Sequence, residues 1–343
     1  MISLKLFQGD ALNVLRRLPS GCVDLVVTSP PYWGARSYLP SDSELKKFEI
    51  GLEKHPNEYV MKICDVVEEC MRILKKDGNM FLNIGDTWST ATHKGGYDRL
   101  NHQKNKTIEE GHRTDIRDRL NKSGENWLKE KQKLFIPYRV AIELQERGYI
   151  VREDIIWVKK LSLYPSRESI GTCMPFPVID KFLPAHEVIL HIVKSKKVKS
   201  FIDRIRCKLK DSTFKRVNSY YGKLDEAGKV IMGKNWGVVV ENELEGANPA
   251  SCIMLKRENQ HAEGHFAKFP STLPKLFIEG FTNIGDTVLD PFLGTGTTMR
   301  ACMELNRNCI GIELNPKYIS FIKKQLNWGM CFDVEFEFEK IRF

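Results

Sequence analysis

Two short stretches at opposite ends of this chain carry residue types that could do chemistry. The first is Thr28-Ser29-Pro30-Pro31-Tyr32. Adjacent prolines fix their own φ angles and offer no N–H, so the loop is stiff and the carbonyls of Ser29 and Pro30 stay free of local partners. Beside them stand a serine hydroxyl and the aromatic face of Tyr32. Acceptors for amino hydrogens next to a ring suit a planar, amino-bearing ligand, which describes a nucleobase. A proline-rich turn closing a core strand would use the same residues, and the loop alone does not choose between the two.

The second stretch is Asp290-Pro291-Phe292-Leu293-Gly294-Thr295-Gly296-Thr297-Thr298, with Glu313 lying 17 residues past Gly296. The pattern predicts a strand over 285–292, a glycine turn, a helix carrying Met299 and Cys302, and a strand over 308–314 that ends on the acid. That is a nucleoside-binding βαβ unit: glycines let the backbone approach the ligand, and the terminal carboxylate accepts from ribose hydroxyls. A dinucleotide fingerprint needs a third glycine where Met299 stands, and a P-loop needs a Gly-Lys-Ser/Thr that is missing. A ligand with adenosine and no phosphates fits better, S-adenosylmethionine foremost.

The elements that must hold these stretches can be read from hydrophobic periodicity. Strands are predicted at 4–7, 23–27, 79–86, 150–159 and 187–193. The run Val23-Asp24-Leu25-Val26-Val27 is short and β-branched, as a buried central strand should be. Helices are predicted at 12–18, at 137–147 and from 59, where Val60, Cys64, Val67, Met71 and Leu74 form one stripe closed by Lys75, Lys76 and Gly78. Asn315 and Pro316 open a last helix with Ile319, Ile322 and Leu326 inward. Residues 33–53 read as a polar, mobile loop, and residues 89–133, poor in aliphatics, as a partly disordered insertion. In an open α/β sheet, ligands bind beyond the carboxyl ends of the strands, where both chemical stretches fall.

The chain has 343 residues and 42% hydrophobic content, enough for one large α/β domain with a smaller region. Its net charge of +9 is uneven: residues 194–216 hold ten Lys or Arg, among them Lys194, Lys196, Lys197, Lys199, Arg204 and Arg206, against Asp203 and Asp211. Such a block, with Phe201, Phe214, Tyr220 and Tyr221, suits a phosphate backbone, although a solvated face would look the same. Nine cysteines with no Cys-x-x-Cys pair read as reduced thiols in a cytoplasmic protein. No metal site is expected, because His191 lies one residue too far from His186 to share a helix face. No apolar run is long enough for a membrane span, and no charged-then-apolar leader opens the chain.

Taken together, the motifs resemble an amino-directed DNA methyltransferase of the permuted (beta) class, with Ser-Pro-Pro-Tyr amino-terminal and the glycine motif carboxy-terminal. Serine at the first motif position is typical of the cytosine-N4 branch; the adenine-N6 branch usually carries Asp or Asn. The resemblance implies a Rossmann-like fold, a mostly parallel sheet with helices on both faces, binding S-adenosyl-L-methionine. It implies a catalytic half over 1–194, a target-recognition region over 195–264 and a cofactor half over 265–343. Gln8-Gly9-Asp10-Ala11 matches the segment that reaches the adenine, although Asp10 could simply cap the following helix. His265-Phe266-Ala267-Lys268-Phe269-Pro270 matches the motif around the methionine part of the cofactor, and 155–159 and 186–190 match scaffold around the target pocket.

The mechanism implied has Ser29 and the Pro30 carbonyl accept the two amino hydrogens of a flipped base, localising the nitrogen lone pair, while Tyr32 stacks on the ring or packs at the strand end. Pro31 stiffens the motif. Cytosine-C5 chemistry would need a Pro-Cys nucleophile, and no cysteine here follows a proline. Adenine-N6 methylation, RNA methylation and a vestigial, non-catalytic DNA-binding fold remain as alternatives. The partners implied are double-stranded DNA and a cognate restriction endonuclease, with the chain a monomer or homodimer.

Overall fold

The structure, a computed structural model, describes residues 2–89, 129, 131–173, 180–208, 238–239, 246–255, 269–329 and 334–341. In chain order the elements are β1 (Ile2–Gln8), α1 (Ala11–Leu15), β2 (Val23–Thr28), α2 (Pro56–Ile73), β3 (Leu74–Ile84), α3 (Ile136–Glu146), β4 (Ile150–Val158), β5 (Lys160–Ser162), β6 (Ser169–Gly171) and β7 (His186–Val193). Then come β8 (Val238–Val239), β9 (Gly246–Ala247), β10 (Cys252–Met254), α4 (Thr272–Phe281), β11 (Thr287–Asp290), α5 (Thr297–Glu304), β12 (Asn308–Glu313), α6 (Pro316–Gly329) and β13 (Val334–Lys340).

Nine strands make one sheet in the order β10-β4-β7-β3-β2-β11-β12-β1-β13. Only β7 among them runs antiparallel to its neighbours. Every residue of β2 is buried, the expected state of a strand covered on both faces. One face packs against α1, α2 and α3 through Val14, Ile63, Val67, Met71 and Val140. The opposite face packs against α4, α5 and α6 through Phe277, Ile278, Met299, Ile319 and Ile322. The expected mostly parallel α/β fold with helices on both faces is the one observed.

Because β2 is central and β11 is its neighbour, the loops leaving their carboxyl ends lie side by side although the chain enters them far apart. This adjacency is the topological condition for a shared site.

Two expectations need correction. The helix from residue 59 does not run to Gly78: α2 ends at Ile73 and β3 starts at Leu74 with no loop between. Lys75 sits in that strand and pairs with Asp24 at 2.8 Å, and a Cβ on Gly78 would press on the Leu74 side chain and the Asp24 carbonyl, so this glycine serves close strand approach rather than a helix stop. Residues 33–53 are not a loose loop: Trp33, Leu39, Glu49, Ile50 and Glu53 are buried, and the Trp33 indole donates to the Glu53 carbonyl at 3.0 Å.

The segment that follows residue 195 packs on the main sheet. Phe201 N–H donates to the Gly280 carbonyl at 2.8 Å, Ile202 and Ile205 pack into the core against α4, and β10 extends the main sheet beside β4. Finally, the basic segment lies at the amino ends of the parallel strands. Lys199 pairs with Asp286 and, at 3.3 Å, with Asp24; Lys194 donates to the Leu74 carbonyl; Arg204 donates to the Thr282 carbonyl at 2.9 Å; Arg206 pairs with Asp203 at 2.6 Å. These cations satisfy strand and helix ends, whereas Lys196 and Lys197 of the named set are exposed. Residues 90–128 of the predicted insertion lie outside the described residues, as do 209–237, 240–245 and 256–264 of the predicted recognition region. Neither α4 nor β13, which closes the sheet edge beside β1, was announced by the sequence pattern.

Candidate active site

A cavity of about 370 Å³ opens at the carboxyl ends of β1, β2, β3, β11 and β12, within the size range of small-molecule sites. Its walls hold both chemical stretches: Ser29, Pro30, Pro31 and Tyr32 on one side, and Phe292, Gly294, Thr295, Thr297 and Glu313 on the other. Asp10, Ala11 and Phe269 line it as well.

The glycine turn is shaped as expected. Gly294 (φ +57°) and Gly296 (φ +84°) take left-handed conformations, and a Cβ on Gly296 would approach the Ile322 side chain at 3.1 Å. Glu313 anchors this turn: one carboxylate oxygen accepts from Gly294 N–H at 2.8 Å and the other from Asn315 N–H at 2.7 Å. Burial pushes its carboxyl up to about 7 against those two bonds. Each oxygen keeps lone-pair capacity for a further donor. The Thr295 hydroxyl on the cavity wall is buried with no partner among the described residues.

Asp290 and Thr298 are placed differently from expectation. Neither lines the cavity; both are fully buried behind its wall. Asp290 accepts from Thr28 Oγ1 at 2.6 Å, from Thr298 Oγ1 at 2.6 Å and from Phe292 N–H at 3.0 Å. Burial raises its carboxyl to about 6. Its bonds join the two loops. Pro270, described but not on the wall, flanks Phe269, and residues 265–268 lie outside the described residues. Asp10 caps α1, accepting from Asn13 N–H at 3.0 Å through one oxygen while also facing the cavity.

On the catalytic side, Tyr59 donates to the Pro31 carbonyl at 2.9 Å and holds the proline loop from α2. A Cβ on Gly85 would overlap the Tyr32 ring, so this glycine makes the seat for it. The Tyr32 hydroxyl donates to Glu187 at 2.7 Å, and burial, together with the charge of Glu187, holds that phenol well above its ordinary range. Ser29 Oγ stands 3.3 Å from the Tyr32 oxygen. Asn83, buried on β3, donates to Tyr32 and to Glu187, each at 2.9 Å, and lies 3.3 Å from Ser29. Lys159 pairs with the other Glu187 oxygen and lies over the Trp157 ring, 4.8 Å from its centroid.

Asn83, Lys159 and Glu187 were not singled out from sequence. The segments 155–159 and 186–190 read there only as scaffold. An acid and a base at the ends of two strand patterns were the available signal, and strand pairing is what brings them together: Trp157 faces Glu187 across β4 and β7.

The β5–β6 hairpin continues directly from Lys159, which lines the cavity. It carries Lys160 and Arg167 and exposes Tyr164.

The comparisons with known proteins agree with this geometry. The DNA methylase family model for N6 and N4 methyltransferases matches residues 23–324. The chain is 33% identical to the type II methyltransferase M.Cfr9I of Citrobacter freundii, over 94% of this chain and 87% of that protein. It is 31% identical to M.SmaI of Serratia marcescens, over 94% and 91%. Among solved structures, the cytosine-N4-specific PvuII DNA methyltransferase is similar in fold, with a TM-score of 0.57 at 17% identity, covering 98% of this chain and 89% of that one. A putative DNA modification methylase of Thermus thermophilus, solved complexed with S-adenosyl-L-methionine, has a TM-score of 0.52 at 20% identity, covering 99% and 100%. With a family match spanning most of the sequence and relatives above 30% identity over nearly its whole length, the chain belongs to the N6/N4 DNA methylase family.

Proposed function

We propose that this protein is an S-adenosyl-L-methionine-dependent methyltransferase acting on the exocyclic N4 amino group of a cytosine flipped out of duplex DNA. One observation carries the reading: Ser29 and Glu313 open onto a single cavity, a hydroxyl suited to an amino group facing an acid suited to a ribose. Bound there, S-adenosylmethionine supplies an electrophilic methyl on a sulfonium sulfur. The residues present fit such a ligand. Glu313 has lone pairs for ribose hydroxyls, Thr295 offers an orphaned hydroxyl, and the Gly294 turn leaves room for close approach.

An exocyclic amino nitrogen is a poor nucleophile because its lone pair is conjugated into the ring. Ser29 and the Pro30 carbonyl accept its two hydrogens, localise the lone pair and aim it, which is catalysis by position and electrostatics. Pro30 is buried and its loop is pinned by Tyr59, so these acceptors are set before the base arrives. Serine at position 29 favours cytosine over adenine. The named specificity of the structurally similar PvuII enzyme points the same way. DNA approaches from the carboxyl ends of the strands, over the β5–β6 hairpin. The type II naming of its relatives supports work beside a cognate restriction endonuclease in the cytoplasm; among the described residues no helix is long and apolar enough to cross a membrane.

Incubation with methyl-labelled S-adenosylmethionine and mixed-sequence duplex DNA tests the reading. Label recovered as N4-methyldeoxycytidine supports it. Label recovered as N6-methyldeoxyadenosine would keep the fold and overturn the base assignment.

A further inference from the structure

The polar side chains behind Ser29 form a chain with a fixed direction. An ionised carboxylate only accepts, so the single hydrogen of the Tyr32 hydroxyl is committed to Glu187 at 2.7 Å. The Tyr32 oxygen is then an acceptor toward its other neighbours, and the Ser29 hydroxyl, 3.3 Å away, donates to it. Asn83 reinforces the order, its amide nitrogen facing the Tyr32 oxygen, Glu187 and, at 3.3 Å, Ser29 Oγ, in each case as the donor. That orientation turns the hydrogen of Ser29 away from the cavity. Its oxygen is left to accept, from the Asn83 amide at 3.3 Å on one side and from the substrate on the cavity side.

From this geometry, and resting on the reading of Ser29 above, we infer that Glu187 is the terminal proton acceptor of the reaction, reached from the base through Ser29 and Tyr32. The amino nitrogen bonds to the methyl carbon as the carbon–sulfur bond breaks and its electron pair stays on sulfur. The nitrogen then carries one proton too many. That proton passes to Ser29 Oγ as the serine proton passes to the Tyr32 oxygen and the tyrosine proton passes to Glu187. Serine and tyrosine end neutral, as they began. No free tyrosinate forms, consistent with a phenol whose proton is held tightly by burial and the adjacent carboxylate. Lys159 stabilises the carboxylate before transfer and lies partly exposed at the cavity wall, where the proton can pass to water. Glu187 is in this sense a relay residue that never touches the base.

Single-turnover methylation of a duplex carrying the mapped target site tests the inference with Glu187→Gln, Tyr32→Phe and the double variant. Each single change is expected to slow transfer about 100-fold, the lower range for loss of a proton-transfer group. The double variant should be no more than about threefold slower than the worse single one, because both cut the same chain. Cofactor dissociation constants, and the fluorescence of 2-aminopurine placed at the target position, should change less than about twofold, which a merely collapsed pocket would not allow. A wild-type rate in either single variant, or losses that multiply in the double one, would overturn the relay. Tyr32→Phe keeps the ring on Gly85 and decides the matter alone if Glu187→Gln folds poorly. Absence of methylated cytosine with the unaltered protein would instead defeat the functional reading itself.

Discussion

Thr28, the last residue of β2, donates to Asp290, the last residue of β11, at 2.6 Å, across 262 residues of sequence. The bond is fully buried, and it ties the catalytic loop to the cofactor loop at their roots. Thr298 completes the clasp from the start of α5, also at 2.6 Å.

Breaking this clasp should loosen both loops together. Thr28→Val leaves a buried carboxylate short of one bond and is expected to cost about 1–3 kcal/mol. Chemical denaturation should show the lower midpoint. Cofactor affinity should weaken although neither residue lines the cavity.

Gly85 gives a sharper separation of roles. Gly85→Ala puts a methyl group into the Tyr32 ring, and overpacking of this kind costs about 1–3 kcal/mol. The ring must move, and with it the hydroxyl that orients Ser29. Methyl transfer should fall at least about tenfold, while the Glu313 side of the cavity, and hence cofactor binding measured by calorimetry, stays intact.

Cofactor affinity should depend on pH through Glu313. Its carboxyl is raised to about 7, chiefly by burial, so the free protein holds a proton there below neutrality. Ribose hydroxyls donate to the ionised form. Binding at pH 6 must therefore expel the proton, and affinity should rise as pH increases from about 6 to 8 and then level off. Calorimetry in buffers of different ionisation heat should detect the released proton. Glu313→Gln should bind more weakly, with no such slope.

How much of this was legible in advance follows from the range of the interactions involved. The central strand and the glycine turn are local patterns of residue type, and the sequence displays them directly. The end of α2 is ambiguous in the sequence because Lys75, Lys76 and Gly78 serve equally well as a helix stop or as a strand foot. Pairing with Asp24 on another strand makes the choice. Asp290 and Thr298 look like ligand groups beside a glycine loop; the buried partner Thr28 is what places them behind the cavity wall. Glu187 is hidden for the opposite reason, its partners coming from three separate segments of the chain.

The basic segment makes the same point about charge. Composition suggests a DNA face, yet Lys194, Lys199 and Arg204 are occupied at the amino ends of the strands, away from the cavity. Replacing Lys196 and Lys197 by alanine should leave the salt dependence of DNA binding nearly unchanged. Replacing Lys160 and Arg167 on the β5–β6 hairpin should lower the slope of log K against log salt by about one to two. Titrations of labelled duplex at several salt concentrations would distinguish these faces.

The central claim, that Ser29 presents the N4 amino group of cytosine to the cofactor methyl, is tested most directly by nucleoside mass spectrometry. Plasmid DNA from cells expressing the unaltered chain would be compared with DNA from cells expressing Ser29→Ala at equal protein level, in a host lacking its own modification enzymes. N4-methyldeoxycytidine present with the first and reduced at least about 100-fold with the second is the predicted result. N6-methyldeoxyadenosine in its place, or equal N4-methyldeoxycytidine from both, would contradict it.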